Sequence, residues 1–279
     1  MRPHAPTPST GAPADQADGL RRLFAGRVRH IAPLVANPHV AFSGVVLERI
    51  TTTLHSLGAS TLLVDAADSS PPTRDMACLD LAACVEQLDQ RTAYLAARGL
   101  PRSHVNTRGS AASLLTALGA VAPHADMVVL HGEMLELARI FPRCEVRPML
   151  ITSDHVEAVK HAYAAIKVLA QRCGLMTYDL LMVAPAGSRR ARAIVASLSS
   201  CAEGYMGALM NGWAHIDPAV DVSEPPGADL CRLLLQQRQL SHPPEPLTSP
   251  ARLSSMPSSI PPSTAPPTAP SPSWHATLS

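Results

Sequence analysis

The sequence predicts an α/β protein in which helices cover both faces of a mostly parallel β-sheet. Short apolar runs of about four to six residues alternate with longer helical patterns, which is typical of βαβ crossovers. Aromatic residues make up only 3% of the chain, whereas alanine and leucine are abundant. Such small and aliphatic side chains suit helices packed on a parallel sheet. A length of 279 residues accommodates one core of this kind.

The elements can be placed in order along the chain. The first unit consists of an apolar strand, RHIAPLV, a helix that ends in glycine, VVLERITTTLHSLG, and a second buried strand, TLLVDA. Strands are predicted near residues 29–35, 61–65, 103–107, 126–131, 147–151 and 178–183. Helices are predicted near residues 45–57, 75–98, 110–122, 133–141, 154–173, 188–203 and 228–239.

Composition divides the chain into four segments. Residues 1–14 are rich in Pro, Ala, Ser and Thr, and residues 241–279 are dominated by Pro and Ser, so both predict disordered tails. Residues 15–26 predict a separate short helix, which is marginal in water unless it docks on a surface. The α/β domain is predicted over residues 27–240.

Charge and cysteine usage exclude several function classes. The formal net charge is +1, which gives no field that would recruit nucleic acid or an anionic membrane. The six cysteines contain no CxxC pair and the twelve histidines are scattered, so we expect reduced thiols and no metal site. The N-terminus has no apolar signal region, and no run approaches the ~20 apolar residues of a membrane span. We expect a soluble cytoplasmic protein.

The first turn from strand to helix, NPHVAFSG at residues 37–44, is where such folds bind phosphate. A phosphate loop needs glycines that turn backbone amides inward, a lysine for the phosphates and a hydroxyl for magnesium. Counting back from LLVDA, Ser43 and Gly44 stand at the positions of the lysine and the hydroxyl residue. Pro38 also removes one amide donor. We expect weak anion binding here at most.

Two residues end strands at the edge of the sheet where ligands bind in this architecture. Asp65 ends the second strand, and both a functional and a relict role are left open for it. His131 stands where a magnesium-coordinating aspartate would end the strand ADMVVLHG. Because neutral imidazole is a poor ligand for magnesium, a structural role is favoured for His131.

Four stretches of the chain resemble one family. Residues 15–21 read DQADGLR and match the pattern DQAxxLR. LGASTLLVDA is similar to LGxxVLLLDAD, DHVEAVKHAYAAIKVLA to TxITDAYALIKLL, and AHIDPAVD to the segment before the family's last helix. Over residues 15–238 the chain therefore resembles FlhG, the flagellar-number regulator of the MinD/ParA-like group. The resemblance implies a MinD/ParA-like three-layer α/β/α fold.

The resemblance also implies a partner. The N-terminal segment of the family is implied to bind FlhF, a GTPase of the signal-recognition type, and to stimulate its hydrolysis. Gln16 would then act in trans in the partner's active site, with Asp15, Ala17, Leu20 and Arg21 as partner-binding residues. A glutamine amide is able to orient an attacking water, as it does in other GTPases. Homodimer formation, membrane contact, and binding to basal-body proteins or transcription regulators are left open.

This sequence departs from the family in the ATP site. Ser43 replaces the phosphate-loop lysine, His131 replaces the strand-end aspartate, and Asp65 is followed by two alanines. The strand near Met182 lacks the asparagine expected to read adenine. We therefore expect a pseudo-ATPase without a cofactor, located in the cytoplasm, and a peripheral position at the inner membrane or cell pole is left open.

Two other functions are left open. The first is an ATPase with an unorthodox phosphate loop, which would use Asp65 and the backbone amides of residues 40–45. The second is a MinD-like positioning or partitioning protein that has no connection with flagella. The last predicted helix, residues 228–239, has two interpretations of its own, an amphipathic membrane contact or the closing helix of the core. Its length and modest charge favour the closing helix.

Overall fold

The computed structural model describes residues 30–73 and 80–240, which form an alternating α/β array. The strands are β1 His30–Val35, β2 Thr61–Asp65, β3 Glu86–Gln87, β4 Thr92–Ala96, β5 Met127–Gly132, β6 Met149–Ser153, β7 Thr177–Val183 and β8 Leu209–Ile216. The helices are α1 Ser43–Ser56, α2 Leu100–Ser103, α3 Ser113–Val121, α4 Met134–Ile140, α5 Val156–Cys173, α6 Arg189–Met206 and α7 Ala228–Gln239. The predicted tails and the segment 15–26 lie outside the described residues.

The eight strands form one sheet in the order β3-β4-β2-β5-β1-β6-β7-β8. Every neighbouring pair is parallel except β3 and β4. The three strands β2, β5 and β1 lie side by side, so their carboxyl ends meet at one edge. Open α/β sheets bind their ligands at this edge.

Helices cover both faces of the sheet, which confirms the predicted three-layer α/β/α class. One face is covered by α1 and α7, whose buried side chains include Ile50, Leu54 and Leu233. The other face is covered by α2 to α6, whose buried side chains include Leu118 and Leu169. The central strands are buried on both faces and therefore read as continuous apolar runs.

The last helix, α7, closes the core. Its leucines Leu230, Leu233 and Leu234 are at most 2% exposed, so the apolar face is packed inside the protein. The buried guanidinium of Arg49 on α1 donates to four backbone carbonyls in residues 220–224, just before α7. Of the two interpretations of this helix, the structure supports the closing helix of the core, because these leucines are packed inside the protein rather than free to contact a membrane.

The predicted helix 75–98 is wrong over its described part. Residues 82–84 form a short 3-10 turn, and β3 and β4 follow. Asp89 starts the turn between them, because its carboxylate accepts the backbone N–H groups of Arg91 at 2.7 Å and Thr92 at 2.8 Å. A side chain that takes backbone donors in this way competes with helix formation.

A strand predicted at residues 103–107 is also wrong, and a strand at residues 209–216 was missed. Asn106 forms a turn instead of a strand, since its side-chain oxygen accepts from the N–H groups of Arg108 and Ser110. The missed strand β8 is an edge strand and is only partly buried. Its sequence, LMNGWAHI, contains polar residues and a glycine that mask the strand pattern.

Within residues 30–73 and 80–240, no helix combines the length and apolar character that crossing a bilayer requires.

Candidate functional site

The turn that precedes α1 lies at the carboxyl end of β1, as the sequence predicts. Ser43 is the first residue of the helix, and Gly44 is exposed beside it. A Cβ atom built on Gly44 would meet nothing within 4 Å. Packing among the described residues therefore does not require a glycine at this position. The residue before the helix is Phe42, whose backbone is left-handed with φ of 66° and whose side chain is 65% exposed. A phenylalanine occupies this region only at a cost.

Asn37 fixes the turn to the protein interior. Its side-chain nitrogen donates to the carbonyls of Ile151 and Ala158, each at 2.9 Å. Its side-chain oxygen accepts from the N–H of His39, and its own carbonyl accepts from the N–H of Val40. The first half of the turn is therefore folded back on Asn37.

These contacts use the amide donors that a phosphate would need. Pro38 has none, and those of His39 and Val40 are bonded to Asn37. The amide of Val45 donates to the Phe42 carbonyl inside the helix, which leaves at most the amides of residues 41–44 for an anion. The Val40 side chain is packed in the core. The turn therefore lacks the lysine of a phosphate loop and offers fewer free amide donors than such a loop does.

The structure brings Asp65 and His131 together. The two residues are directly opposite in the parallel pairing of β2 with β5, and His131 Nδ1 lies 2.8 Å from Asp65 Oδ1. Because an ionised carboxylate only accepts hydrogen bonds, Nδ1 carries the proton. Both side chains are buried, with 2% exposure for His131 and 11% for Asp65. The other ring nitrogen, Nε2, is buried and has no hydrogen-bond partner among the described residues.

Sequence reasoning missed a third member of this group, Tyr94 on β4. Burial raises the pKa of Tyr94 to about 12, and the charge of Asp65 together with a hydrogen bond to it adds to this effect. The Asp65 carboxylate thus accepts from both His131 and Tyr94. The wrong helix at 75–98 hid Tyr94, although TAYLA has the branched and aromatic residues of a strand.

The remaining predicted site residues do not join this group. No hydrogen bond links Ser43 or Gly44 to Asp65 or His131 within the described part of the chain. Residues Asp15, Gln16, Ala17, Leu20 and Arg21 lie outside the described residues. Within residues 30–73 and 80–240, no three His, Cys, Asp or Glu side chains are placed to hold a metal ion.

A pair of histidine rings lies beside the turn. The ring centroids of His39 and His161 are 5.8 Å apart in an edge-to-face arrangement. Burial lowers the pKa of His161, and the nearby His39 lowers it further, although a hydrogen bond to the Ala36 carbonyl acts in the opposite direction. The ring of His161 is therefore biased toward its neutral form, which does not attract anions.

Comparison with solved structures identifies the fold. The MinD cell division protein of Aquifex aeolicus matches with a TM-score of 0.51 and 11% identity over 74% of this chain and 97% of that one. A plasmid partition protein from Borrelia burgdorferi matches with a TM-score of 0.53 and 10% identity over 75% and 99%. A putative plasmid partition protein from Borrelia burgdorferi B31, bound to AMPPNP, gives 0.52 and 10% over 75% and 97%.

No protein-family model matches the chain, and no curated protein sequence matches it. At identities this low, the structural similarity shows the fold alone. The chain has the MinD/ParA-like α/β fold that its sequence predicts.

Proposed function

We propose that this protein is an FlhG-like regulator that stimulates an FlhF-type GTPase through residues 15–26, carried on a MinD/ParA-like scaffold that does not use ATP as a switch. The observation that supports a nucleotide-free scaffold most directly is the turn at residues 37–42. Asn37 and Val40 anchor it in the core, and the left-handed Phe42 ends it. Such a turn is a compact structural element rather than a collapsed phosphate loop.

The strand ends support the same conclusion. An ATPase of this fold needs carboxylates that are free to hold magnesium at the edge of the sheet. Here the Asp65 carboxylate is hydrogen-bonded to both His131 and Tyr94. A metal at Asp65 would compete with these contacts for the carboxylate oxygens, and loss of the Asp65 contact would leave the buried His131 ring with neither nitrogen bonded to a described residue.

The proposed activity resides in the N-terminal segment. Gln16 is proposed to orient the attacking water in the partner's GTPase site, since a glutamine amide both donates and accepts hydrogen bonds. Asp15, Ala17, Leu20 and Arg21 are proposed to hold the segment against the partner. The α/β domain would then supply folding, localisation and contacts with flagellar proteins rather than hydrolysis.

The decisive experiment measures GTP hydrolysis by the cognate FlhF-type protein with and without this chain. We expect a clear stimulation that is lost in Gln16→Ala and retained in Gln90→Ala, which changes an exposed glutamine of the folded domain between β3 and β4. Stimulation that survives Gln16→Ala would mean that this glutamine has no catalytic role in trans. No stimulation by the unaltered chain would overturn the proposed function itself.

A second candidate is an ATPase that uses Asp65 and the amides of residues 41–44. The position of Asp65 at the carboxyl end of β2 is the observation in its favour. Calorimetric titration with Mg-ATP separates the two candidates, because heat that disappears in Asp65→Ala would establish this alternative. Flagellar genes beside this one would favour the first proposal, whereas cell-division or replicon-maintenance genes would favour a positioning protein unconnected with flagella.

A further inference from the structure

A cleft of about 690 Å³ opens on the face of the protein opposite α1, along helices α4 and α5. Its charged lining consists of three carboxylates and two guanidinium groups, from Asp68, Glu133, Glu136, Arg102 and Arg139. Its apolar lining comes from Met134, Leu135 and Val168. Leu135 is 45% exposed on a helix whose apolar side chains Leu137 and Ile140 are packed in the core. The cleft therefore combines an apolar surface with an excess of negative charge.

The carboxylates of the cleft are incompletely neutralised. Arg102 contacts Glu136 at 2.8 Å and Asp68 at 3.4 Å, but neither guanidinium is paired with Glu133. Glu136 is only 4% exposed, and its Oε2 has no hydrogen-bond partner among the described residues. Burial raises the pKa of Glu133, and the charges of Asp68 and Glu136 act in the same direction, although a hydrogen bond from the Asp68 amide and the nearby His131 oppose them. A cation placed here would relieve this repulsion.

Residues 15–25 of the same chain carry the matching chemistry. The stretch DQADGLRRLFA places Leu20, Leu23 and Phe24 at helical spacing on one face, with Arg21 beside them. A helix of this length is marginal in water and needs a surface to pack on. Its apolar face suits Leu135 and Val168, and Arg21 suits Glu133, which has no cationic partner among the cleft's guanidinium groups.

The segment leads directly into β1, the strand on which α4 packs. Helices α4 and α5 follow strands β5 and β6, and α4 packs against β1, the strand that the N-terminal segment enters. As crossover helices they run from the carboxyl edge of the sheet back toward the amino edge, where His30 begins β1. The five Cα steps from Ala25 to His30 span up to about 17 Å, so the linker can carry the segment that far from the amino end of β1.

We propose that residues 15–25 dock intramolecularly in the α4–α5 cleft, with Leu20, Leu23 and Phe24 on its apolar lining and Arg21 at its carboxylates. Docked in this way, the segment is withheld from any partner. The docking itself stands independently of the proposed function, but its consequence, that the chain limits its own GTPase stimulation, rests on it. A partner would then compete with the cleft for Arg21 and Leu20.

Hydrogen–deuterium exchange of the full chain, without a partner, tests the docking. We expect the amides of residues 20–25 to be protected about tenfold, and to lose this protection in Leu135→Glu and in Glu133→Lys. Leu88→Glu is the matched control, because Leu88 is 59% exposed and lies outside the cleft. Combining Glu133→Lys with Arg21→Glu should restore the protection by exchanging the two charges.

Each other outcome overturns the docking. If the amides of residues 20–25 exchange freely in the unaltered chain, the segment has no docked state. Protection that persists in both Leu135→Glu and Glu133→Lys places the segment elsewhere. Protection that fades when the protein is diluted assigns the cleft to a second copy of the chain rather than to the chain's own segment.

The GTPase assay then separates this inference from the proposed function. If the segment is docked in about nine molecules of ten, Leu135→Glu should lower the concentration needed for half-maximal stimulation by about tenfold. If Leu135→Glu loses the protection but neither the variant nor the unaltered chain stimulates the GTPase, the docking stands and the proposed function is overturned. Stimulation that is equal in both forms, despite a loss of protection, would overturn the regulatory consequence alone.

Discussion

Two buried carboxylates in the same sheet, Asp65 on β2 and Asp179 on β7, have different surroundings. Asp179 is fully buried and accepts from Arg147 at 2.7 Å, Gln237 at 2.8 Å and Asn211 at 2.9 Å. Its three donors come from the chain just before β6, from α7 and from β8. The charge of Asp179 is therefore compensated by the guanidinium of Arg147 and by two side-chain amides. These contacts connect β7 to three other parts of the fold.

Asp65 has a weaker set of partners. Its donors are an imidazole and a phenol, and the imidazole of His131 keeps a buried nitrogen without a hydrogen bond in the described part of the chain. Asp65 also lies at a strand end rather than within a strand. Two buried carboxylates therefore differ in how completely their partners compensate the charge.

The largest effect is expected at Asp179. Asp179→Asn leaves the Arg147 guanidinium, whose side chain is 11% exposed, as an uncompensated buried charge. Removing one partner of such a pair lowers the free energy of unfolding by about 3–5 kcal/mol. Urea denaturation followed by circular dichroism measures this loss.

The matched control is Asp229→Asn on α7, whose carboxylate pairs with Arg232 at the surface. We expect it to change the free energy of unfolding by less than about 1 kcal/mol. Equal losses in the two variants would mean that Arg147 gains enough solvation to make the buried network unimportant.

A smaller, pH-dependent effect is expected around Asp65. Since the pKa of Tyr94 is raised to about 12 in the folded protein, its stabilising contribution is complete below the ordinary tyrosine pKa of about 10 and is lost as pH rises from there toward 12. Tyr94→Phe should therefore reduce the fall in stability above pH ~10. Asp65→Asn should do so in part, because it removes the negative charge but not the burial.

Denaturation midpoints measured at neutral and alkaline pH test this expectation. Tyr205→Phe is the control, because Tyr205 is 82% exposed and its removal should leave the alkaline slope unchanged. An alkaline slope that is the same in Tyr94→Phe and in the unaltered chain would show that the pKa of Tyr94 is not raised in the folded protein.

The same comparison explains how far sequence reasoning reaches. Central strands such as β5 are continuous apolar runs, and α1 has a clear start and a terminal glycine, so both were predicted within a few residues. Asp65 and His131 were each identified as strand ends. Their contact was not, because it depends on β2 lying next to β5, which is a property of the sheet order rather than of either segment.

The misses have a common physical cause, which is dependence on distant residues. The sequence places Asn37 in a turn that is notable for the glycines and the lysine missing from it. The side chain of Asn37 anchors this turn by donating to carbonyls that are 114 and 121 residues away, and the local sequence does not show those contacts. The short strand β4 is stabilised by its pairing with β2, and the edge strand β8 by its pairing with β7. Local propensity is a weak guide where such tertiary contacts decide the structure.

The smallest effect is expected at the backbone of the turn before α1. Phe42 has φ of 66°, a region that costs a residue with a side chain about 1–2 kcal/mol, and its exposed ring recovers little by packing. Phe42→Gly should raise the free energy of unfolding by about 0.5–1 kcal/mol, since glycine adopts this region freely but loses more entropy on folding. Phe42→Ala keeps the Cβ atom and should give no such gain, so denaturant midpoints of the two variants isolate the strain. Equal midpoints would mean that the turn relaxes around Phe42. A gain in Phe42→Gly alone would show that the left-handed backbone at residue 42 is imposed on Phe42 by the rest of the turn, which Asn37 and Val40 anchor in the core.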